Sequence, residues 1–277
     1  AEDVFFPEEV VGISPASTAP SITGMNPDYL LRTAPSDALQ SQASAQVAFE
    51  DEGLETASTM HLNNDYGQGL NDAFVDAFEN LGGEVVATEA FEKEQPSYET
   101  LLDSLLADDP DVLYVIGYPA SGEQIFRDFY ENYDSEDVTI LVSDGLQDND
   151  LPGDVDNPMS NVIGTSPAAV GPGQETFNQL FQDEYGSEPG VFTAQAYDAT
   201  AVHILAQLRA DELTGPAVSE QIREVANPGG EVIQPGSLAD GLEMAENGDE
   251  IQYQGASSTV EFDENGDSII STFEVFE

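Results

Sequence analysis

Residues 56 to 165 alternate between two kinds of segment, and that alternation restricts the chain more than any other feature. TASTMHL is followed by a helix from about residue 67, with Leu70, Phe74, Ala77, Phe78 and Leu81 at helical spacing and Gly82-Gly83 closing it. Strand EVVATEA comes next, then a helix carrying Tyr98, Leu101, Leu102, Leu105 and Leu106, then DVLYVIG. A helix with Ile125, Phe126, Phe129, Tyr130 and Tyr133 precedes VTILVS, and after a loop comes NVIGTS. Runs such as VLYVI are apolar at every position. A strand reads that way when helices cover both faces of a parallel sheet, so the segment predicts repeated βαβ units and an α/β fold.

After residue 170 the alternation stops. Four helical stripes follow, marked by Phe177 to Tyr185, Tyr197 to Leu208, Val218 to Val225 and Leu238 to Ala245, with no strand pattern between them. The remaining unclaimed strand is VVGI at 10 to 13. Either these helices form a bundle of their own, or they cover strands of a sheet that is incomplete here. The last twenty residues alternate with period two around Asn265-Gly266, which predicts a hairpin.

Charge excludes whole classes of partner. Against 55 acidic residues stand five basic ones, for a formal charge of -50. A phosphate backbone needs clustered Lys and Arg, and the five here are scattered at 32, 93, 127, 209 and 223, so nucleic acid is not expected as a partner. So strong a self-repulsion is relieved in concentrated salt, where the Debye length falls to roughly 3 Å at 1 M; the composition reads as halophilic. There is no Cys, hence no thiolate nucleophile and no zinc-thiolate site, and no apolar run long enough to span a bilayer.

In open parallel sheets, ligands lie beyond the carboxyl ends of the strands. That rule selects Tyr66 after TASTMHL, Tyr118 after DVLYVIG, Ser143-Asp144-Gly145 after VTILVS, and Ser14 to Thr18 after VVGI. The last lies in GISPASTAPSITG, a charge-free stretch in an acidic chain. Its hydroxyls and backbone N–H groups suit a small carboxylate when a helix N-terminus follows; an ordinary ST-turn would look the same. Asp144 could pair an ammonium or be a solvated surface acid, and the two tyrosines could line a ligand or act as half-buried spacers.

Other motifs fail on their spacing. Gly67-Gln68-Gly69 has Asp72 where a dinucleotide fingerprint needs its third glycine. Asp263, Asn265, Asp267 and Glu274 have calcium-loop spacing, but Ser268 replaces the required glycine and the flanks alternate as strands. His61 and His203 lack a histidine partner four residues on, there is no G-x-S-x-G, and the acidic loop SDGLQDNDLPGDVDN reads as hydrated surface. No catalytic residue, cofactor or metal site is therefore expected.

Seven segments then occur in a familiar order: ISPASTAPSIT, YLLRTAPSDALQSQA, NNDYGQGL, DVLYVIGYPASGEQIFRDF, LVSDG, FTAQAYDATAVHIL and VEFDENGD. In this the chain resembles the leucine/isoleucine/valine-type binding proteins of ABC transporters. The resemblance implies a two-lobed periplasmic-binding-protein-like clamshell with parallel sheets flanked by helices. It implies a first lobe from 1–33 and 170–252, a second from 37–165 and 258–277, and hinge crossovers at 34–36, 166–169 and 253–257. Ala16 and Thr18, with Ser17 of the same turn between them, match the positions that hold an α-carboxylate through backbone and hydroxyl, Asp144 the acid that receives the ammonium, Tyr66 and Tyr118 pocket aromatics of the second lobe, and Phe192 a wall of the first.

It also implies a non-enzymatic monomer that hands an amino acid to a membrane permease on the outer face of the cell. Family members begin with further strand-helix units and another Ser/Thr-bearing turn, so the first lobe is expected to be incomplete. The export signal and lipid anchor are expected upstream. A sensory module of a receptor, or a binder of urea, amides or aromatic acids, would share the architecture.

Overall fold

The computed structural model describes residues 1–134 and 138–277. The chain divides into two compact units, one of residues 1–36 and 167–272, the other of residues 37–166 and 273–277. The first begins with two short parallel strands, β1 (Gly12–Ser14) and β2 (Leu30–Arg32).

The second unit is the α/β layer structure that the alternation predicts. Its elements are α1 (Asp37–Gln46), β3 (Thr56–Leu62), α2 (Asp65–Leu81), β4 (Glu84–Phe91), α3 (Glu99–Leu105), β5 (Val112–Ile116), α4 (Pro119–Asn132), β6 (Thr139–Val142), α5 (Leu151–Val155) and β7 (Val162–Pro167). The sheet runs Phe273–Phe276, β7, β6, β5, β3, β4, and the pairings among β3 to β7 are parallel. Strand β5 shows why its sequence is apolar throughout. Leu113 and Val115 face a core with Phe126 and Phe129 of α4 and Leu102 of α3. Val112, Tyr114 and Ile116 face another with Leu70, Phe74 and Phe78 of α2.

The start and stop of α2 are encoded locally. Asn64 caps its N-terminus by accepting the Gly67 N–H at 2.8 Å, and Gly82 ends it in the left-handed conformation at φ 107°. The glycine that opens the failed dinucleotide fingerprint has a packing reason. A methyl group on Gly67 would lie 2.1 Å from the Leu62 carbonyl oxygen, so the helix can approach the end of β3 only without a side chain there.

The first unit resumes with α6 (Gln174–Tyr185), α7 (Thr193–Arg209), α8 (Gly215–Ala226), β8 (Glu231–Ile233), α9 (Leu238–Asn247) and β9 (Ile251–Tyr253). The four helices stand where their stripes predict, but the expectation that no strand separates them is wrong. β8 and β9 pair in parallel around α9, making a small βαβ unit. Val202, Leu205, Ile222 and Val225 pack with Leu31, Ile233, Ile251 and Tyr253 in one core. Helices α7, α8 and α9 therefore cover two small parallel sheets and are not a bundle of their own, while α6 packs through Phe177 against Ala194 and Ala256.

The C-terminal segment also departs from expectation. Asp263 accepts the N–H groups of Asn265 at 2.8 Å and Asp267 at 2.9 Å, which makes the turn, but its arms meet only in an isolated antiparallel bridge between Phe262 and Ser268. Val260 and Phe262 are buried in the core of the first unit, and Asn227 grips the backbone of Phe262 on both sides, at 2.9 Å each. Residues 258–272 thus belong to the first unit, and the chain passes into the second at 272–273 rather than at 253–257. Burial of those two apolar residues outweighs the period-two pattern.

Candidate functional site

In the second unit, the turns that follow β3, β5 and β6 converge. Tyr66 lies in the first turn of α2, Tyr118 caps α4 ahead of Pro119, and Asp144 opens a single 3-10 turn after β6. The two phenol rings stack, with centroids 5.3 Å apart and planes 21° from parallel. The Tyr66 hydroxyl is 3.1 Å from Asp144 Oδ1 and 3.0 Å from Ser143 Oγ, and its single proton serves one of them at a time. Asp144 is only 6% exposed whereas Tyr118 is 45% exposed, so the aromatic pair roofs a buried carboxylate and offers its own outer edge.

Burial pushes the Asp144 pKa up, because a carboxylate out of water favours its neutral form; hydrogen bonds from Gln40, Tyr66 and the Asp144 and Gly145 amides pull it back. Tyr66 and Tyr118 are both raised, first by burial and then by the field of Asp144, so both phenols stay protonated donors near neutral pH. Among the described residues the ion pairs are Arg32–Asp267 and Arg127–Glu123, and no basic side chain meets Asp144. Helix α1 supports the floor: Gln40 Nε2 donates to the Thr165 carbonyl at 2.9 Å, and the Ser44 and Thr165 hydroxyls lie 2.6 Å apart. Spacing alone did not single out Gln40, Ser44 or Thr165.

In the first unit, Ala16 and Ser17 are exposed and Thr18 is buried. The Ser17 N–H donates to Ser14 Oγ at 3.1 Å, so the ST-turn is present. The amides of Ala16 and Thr18 donate to no group among the described residues. The helix N-terminus expected behind the cradle is not there. In its place stands the three-residue 3-10 turn Pro20–Ile22, which is too short to bring a helix dipole to the cradle. Phe192 is the residue ahead of α7 and sits in the left-handed region at φ 60°. For an aromatic residue that conformation is strained by about 1 kcal/mol or more, a cost found disproportionately at functional positions. No sequence pattern reveals it.

The motifs set aside have structural partners. Asp263 accepts the amides of its own turn and Asp267 pairs with Arg32, so neither carboxylate points to an ion. His203 contacts the Val11 carbonyl and Gln207, while His61 is buried in β3 with its pKa lowered by that burial.

The sequence pattern of the family described as "Receptor family ligand binding region" matches residues 9–277. The chain is 25% identical over 256 residues to a chemotactic signal transduction system substrate-binding protein of Halobacterium salinarum, covering 90% of this chain and 59% of that one. It is 28% identical over 127 residues to the Leu/Ile/Val-binding protein of Escherichia coli, covering 46% of this chain and 35% of the other. The chain therefore spans less than two thirds of the length of these relatives. Among solved structures, a leucine binding protein from Thermotoga maritima superposes with a TM-score of 0.79 at 24% identity, over 99% of this chain and 71% of the other. A branched-chain amino acid substrate-binding protein of Streptococcus pneumoniae, solved with isoleucine, gives 0.74 at 19% identity, over 96% and 69%.

Proposed function

Because the chain belongs to the family of receptor ligand-binding regions, we propose that it is the solute-binding component of an ABC transporter. It captures a branched-chain amino acid, or a related small carboxylate, outside the cell and delivers it to a membrane permease. The observation that carries this reading is Asp144, a buried carboxylate that no basic side chain among the described residues neutralises, set beneath two stacked tyrosines. A ligand ammonium supplies the missing charge. Tyr66 and Tyr118 flank it, the uncharged turn of Ala16, Ser17 and Thr18 takes the carboxylate, and Phe192 forms a wall for the side chain. Capture requires no proton transfer, so the protein acts as a binder and not as an enzyme.

The names of the relatives, which bind leucine, isoleucine or valine, support the substrate class. No helix among the described residues is long and apolar enough to cross a membrane; a lipid anchor is the proposed means of retention at the cell surface.

Titration calorimetry with leucine, isoleucine and valine tests the reading. Wild type is expected to bind at least one of them, and Asp144→Ala to weaken that binding by about tenfold or more, because a buried ammonium left unpaired costs roughly 1–3 kcal/mol. Unchanged affinity would remove Asp144 from the site. Benzoate and urea in the same panel separate the aromatic-acid and amide alternatives.

The Halobacterium salinarum relative favours a second reading, in which the loaded protein is presented to a chemotaxis receptor. Deleting the gene would then abolish swimming toward the amino acid while leaving its uptake intact.

A further inference from the structure

The turn read above as the carboxylate cradle is fastened from one side by Arg32, at the end of β2. Arg32 is fully buried, one of five basic residues in the chain, and every nitrogen of its guanidinium is used. Nε meets Asp267 Oδ1 at 2.7 Å and Nη2 meets Oδ2 at 3.1 Å, a bidentate pair. Nη2 also donates to Thr23 Oγ1 at 2.8 Å, and that hydroxyl donates on to Asp267 at 2.7 Å. The remaining nitrogen, Nη1, faces three successive carbonyls, those of Ser17 at 3.3 Å, Thr18 at 2.8 Å and Ala19 at 3.0 Å.

The planarity of the peptide bond gives this contact its effect. In a trans peptide the C=O and the next N–H point in opposite directions. Drawing the carbonyls of Ser17 and Thr18 toward the guanidinium turns the N–H groups of Thr18 and Ala19 away from it. The Ala19 carbonyl can join without redirecting a further donor, since residue 20 is proline and has no N–H. One side of the turn becomes a row of acceptors and the other a row of donors. Left to itself, a short Ser/Ala/Thr loop has no reason to sort its peptide groups in this way.

We infer that Arg32, held by Asp267 and Thr23, is the positioning residue of the carboxylate cradle. It acts through geometry and not through its charge, because Asp267 neutralises the guanidinium at contact distance. Lysine cannot replace it: its three donors sit on one atom and cannot span a carboxylate, a hydroxyl and three carbonyls. This also assigns a task to the Asp263–Asp267 turn, which has calcium-loop spacing but carries Asp267 to the arginine. The inference rests on the reading that the turn takes a carboxylate, and its test separates the two.

Leucine and 3-methylbutylamine share an ammonium and a side chain but differ in the carboxylate. Both are titrated against the whole chain, wild type and Arg32→Lys. The lysine variant is expected to lose about tenfold in leucine affinity and less than about twofold for the amine, since only hydrogen bonds to the carboxylate are misaligned. Equal losses for both ligands, or none for either, would overturn the inference by making Arg32 merely structural. Equal wild-type affinity for the two ligands would instead overturn the carboxylate reading of the turn, and no binding of either would overturn the functional reading altogether. Should Arg32→Lys not fold, Thr23→Val keeps the Arg32–Asp267 pair and removes one tie of the clamp. It is expected to weaken leucine alone by about threefold, one hydrogen bond's share; a loss common to both ligands, or no loss, overturns the inference.

Discussion

On the proposed reading that Asp144 receives a ligand ammonium, burial and ligand charge act on it in opposite directions, and this sets the expected pH dependence. An ammonium is held only by the ionised carboxylate, while burial raises the pKa of the free group. Affinity for an amino acid is therefore expected to be full above the raised pKa and to fall as pH drops through it. Titrations between about pH 4 and pH 7 check this, and affinity that improves on acidification would contradict it. The stability of the ligand-free fold runs the other way. With its pKa above the unfolded value, the folded state holds more protons in the window between them, so stability declines as pH rises from the ordinary aspartate range through the raised value. Asp144→Asn should flatten both profiles. Beside it, a methyl group on Gly145 would lie 2.4 Å from the Gly117 carbonyl oxygen and 3.0 Å from the Tyr66 hydroxyl. Because the carbonyl is backbone and cannot swing aside, Gly145→Ala is expected to cost about 1–3 kcal/mol in urea unfolding and to disturb the tyrosine stack. Unchanged stability would show that the 3-10 turn moves freely.

Among elements, legibility followed length and apolar content. The helices α2, α4, α6, α7 and α8 run for 12 to 17 residues, and their stripes are visible in the sequence. Strands β2, β8 and β9 have three residues each, too few to show a period. Helix α1 escaped for a different reason: it buries Asp37, Gln40, Ser41 and Ser44 beside a single alanine, so the face it turns inward reads as polar. Gln40, Ser41 and Ser44 are tied by tertiary hydrogen bonds, such as Ser41 Oγ to the Leu70 carbonyl at 2.9 Å, which no local pattern announces. For the same reason the strand ends Tyr66, Tyr118 and Asp144 were legible, while the groups supporting them were not.

Asp198 of α7 is a further case. It is fully buried and accepts from the Tyr253 hydroxyl at 2.8 Å, the Ala256 amide at 2.8 Å and the Ser257 amide at 2.7 Å, joining α7 to the segment after β9. Asp198→Ala strands several buried donors at once and is expected to cost on the order of 3 kcal/mol or more, against about 1 kcal/mol for Tyr253→Phe. Equal urea midpoints for the two variants would refute that ranking.

For the molecule as a whole, charge decides the conditions under which any of this holds. With a formal charge of -50 and two ion pairs among the described residues, repulsion between carboxylates is not relieved by pairing within the fold. It has to be relieved by solvent ions. At 0.1 M salt the Debye length is about 10 Å, so neighbouring surface acids feel one another; at 1 M it is about 3 Å and they do not. The unfolded chain spreads the same charge over a larger volume and gains less from screening. The thermal midpoint is therefore expected to climb steeply between 0.1 and 1 M KCl and then more slowly, as screening saturates. Sodium and potassium chloride should act alike over that range, since screening depends on ionic strength and not on ion identity. Sucrose, which favours compact states by exclusion and carries no charge, should leave the low-salt deficit in place. A midpoint that does not move between 0.1 and 1 M KCl would mean that the acidic surface carries no net repulsion, and the halophilic reading of the composition would fall with it.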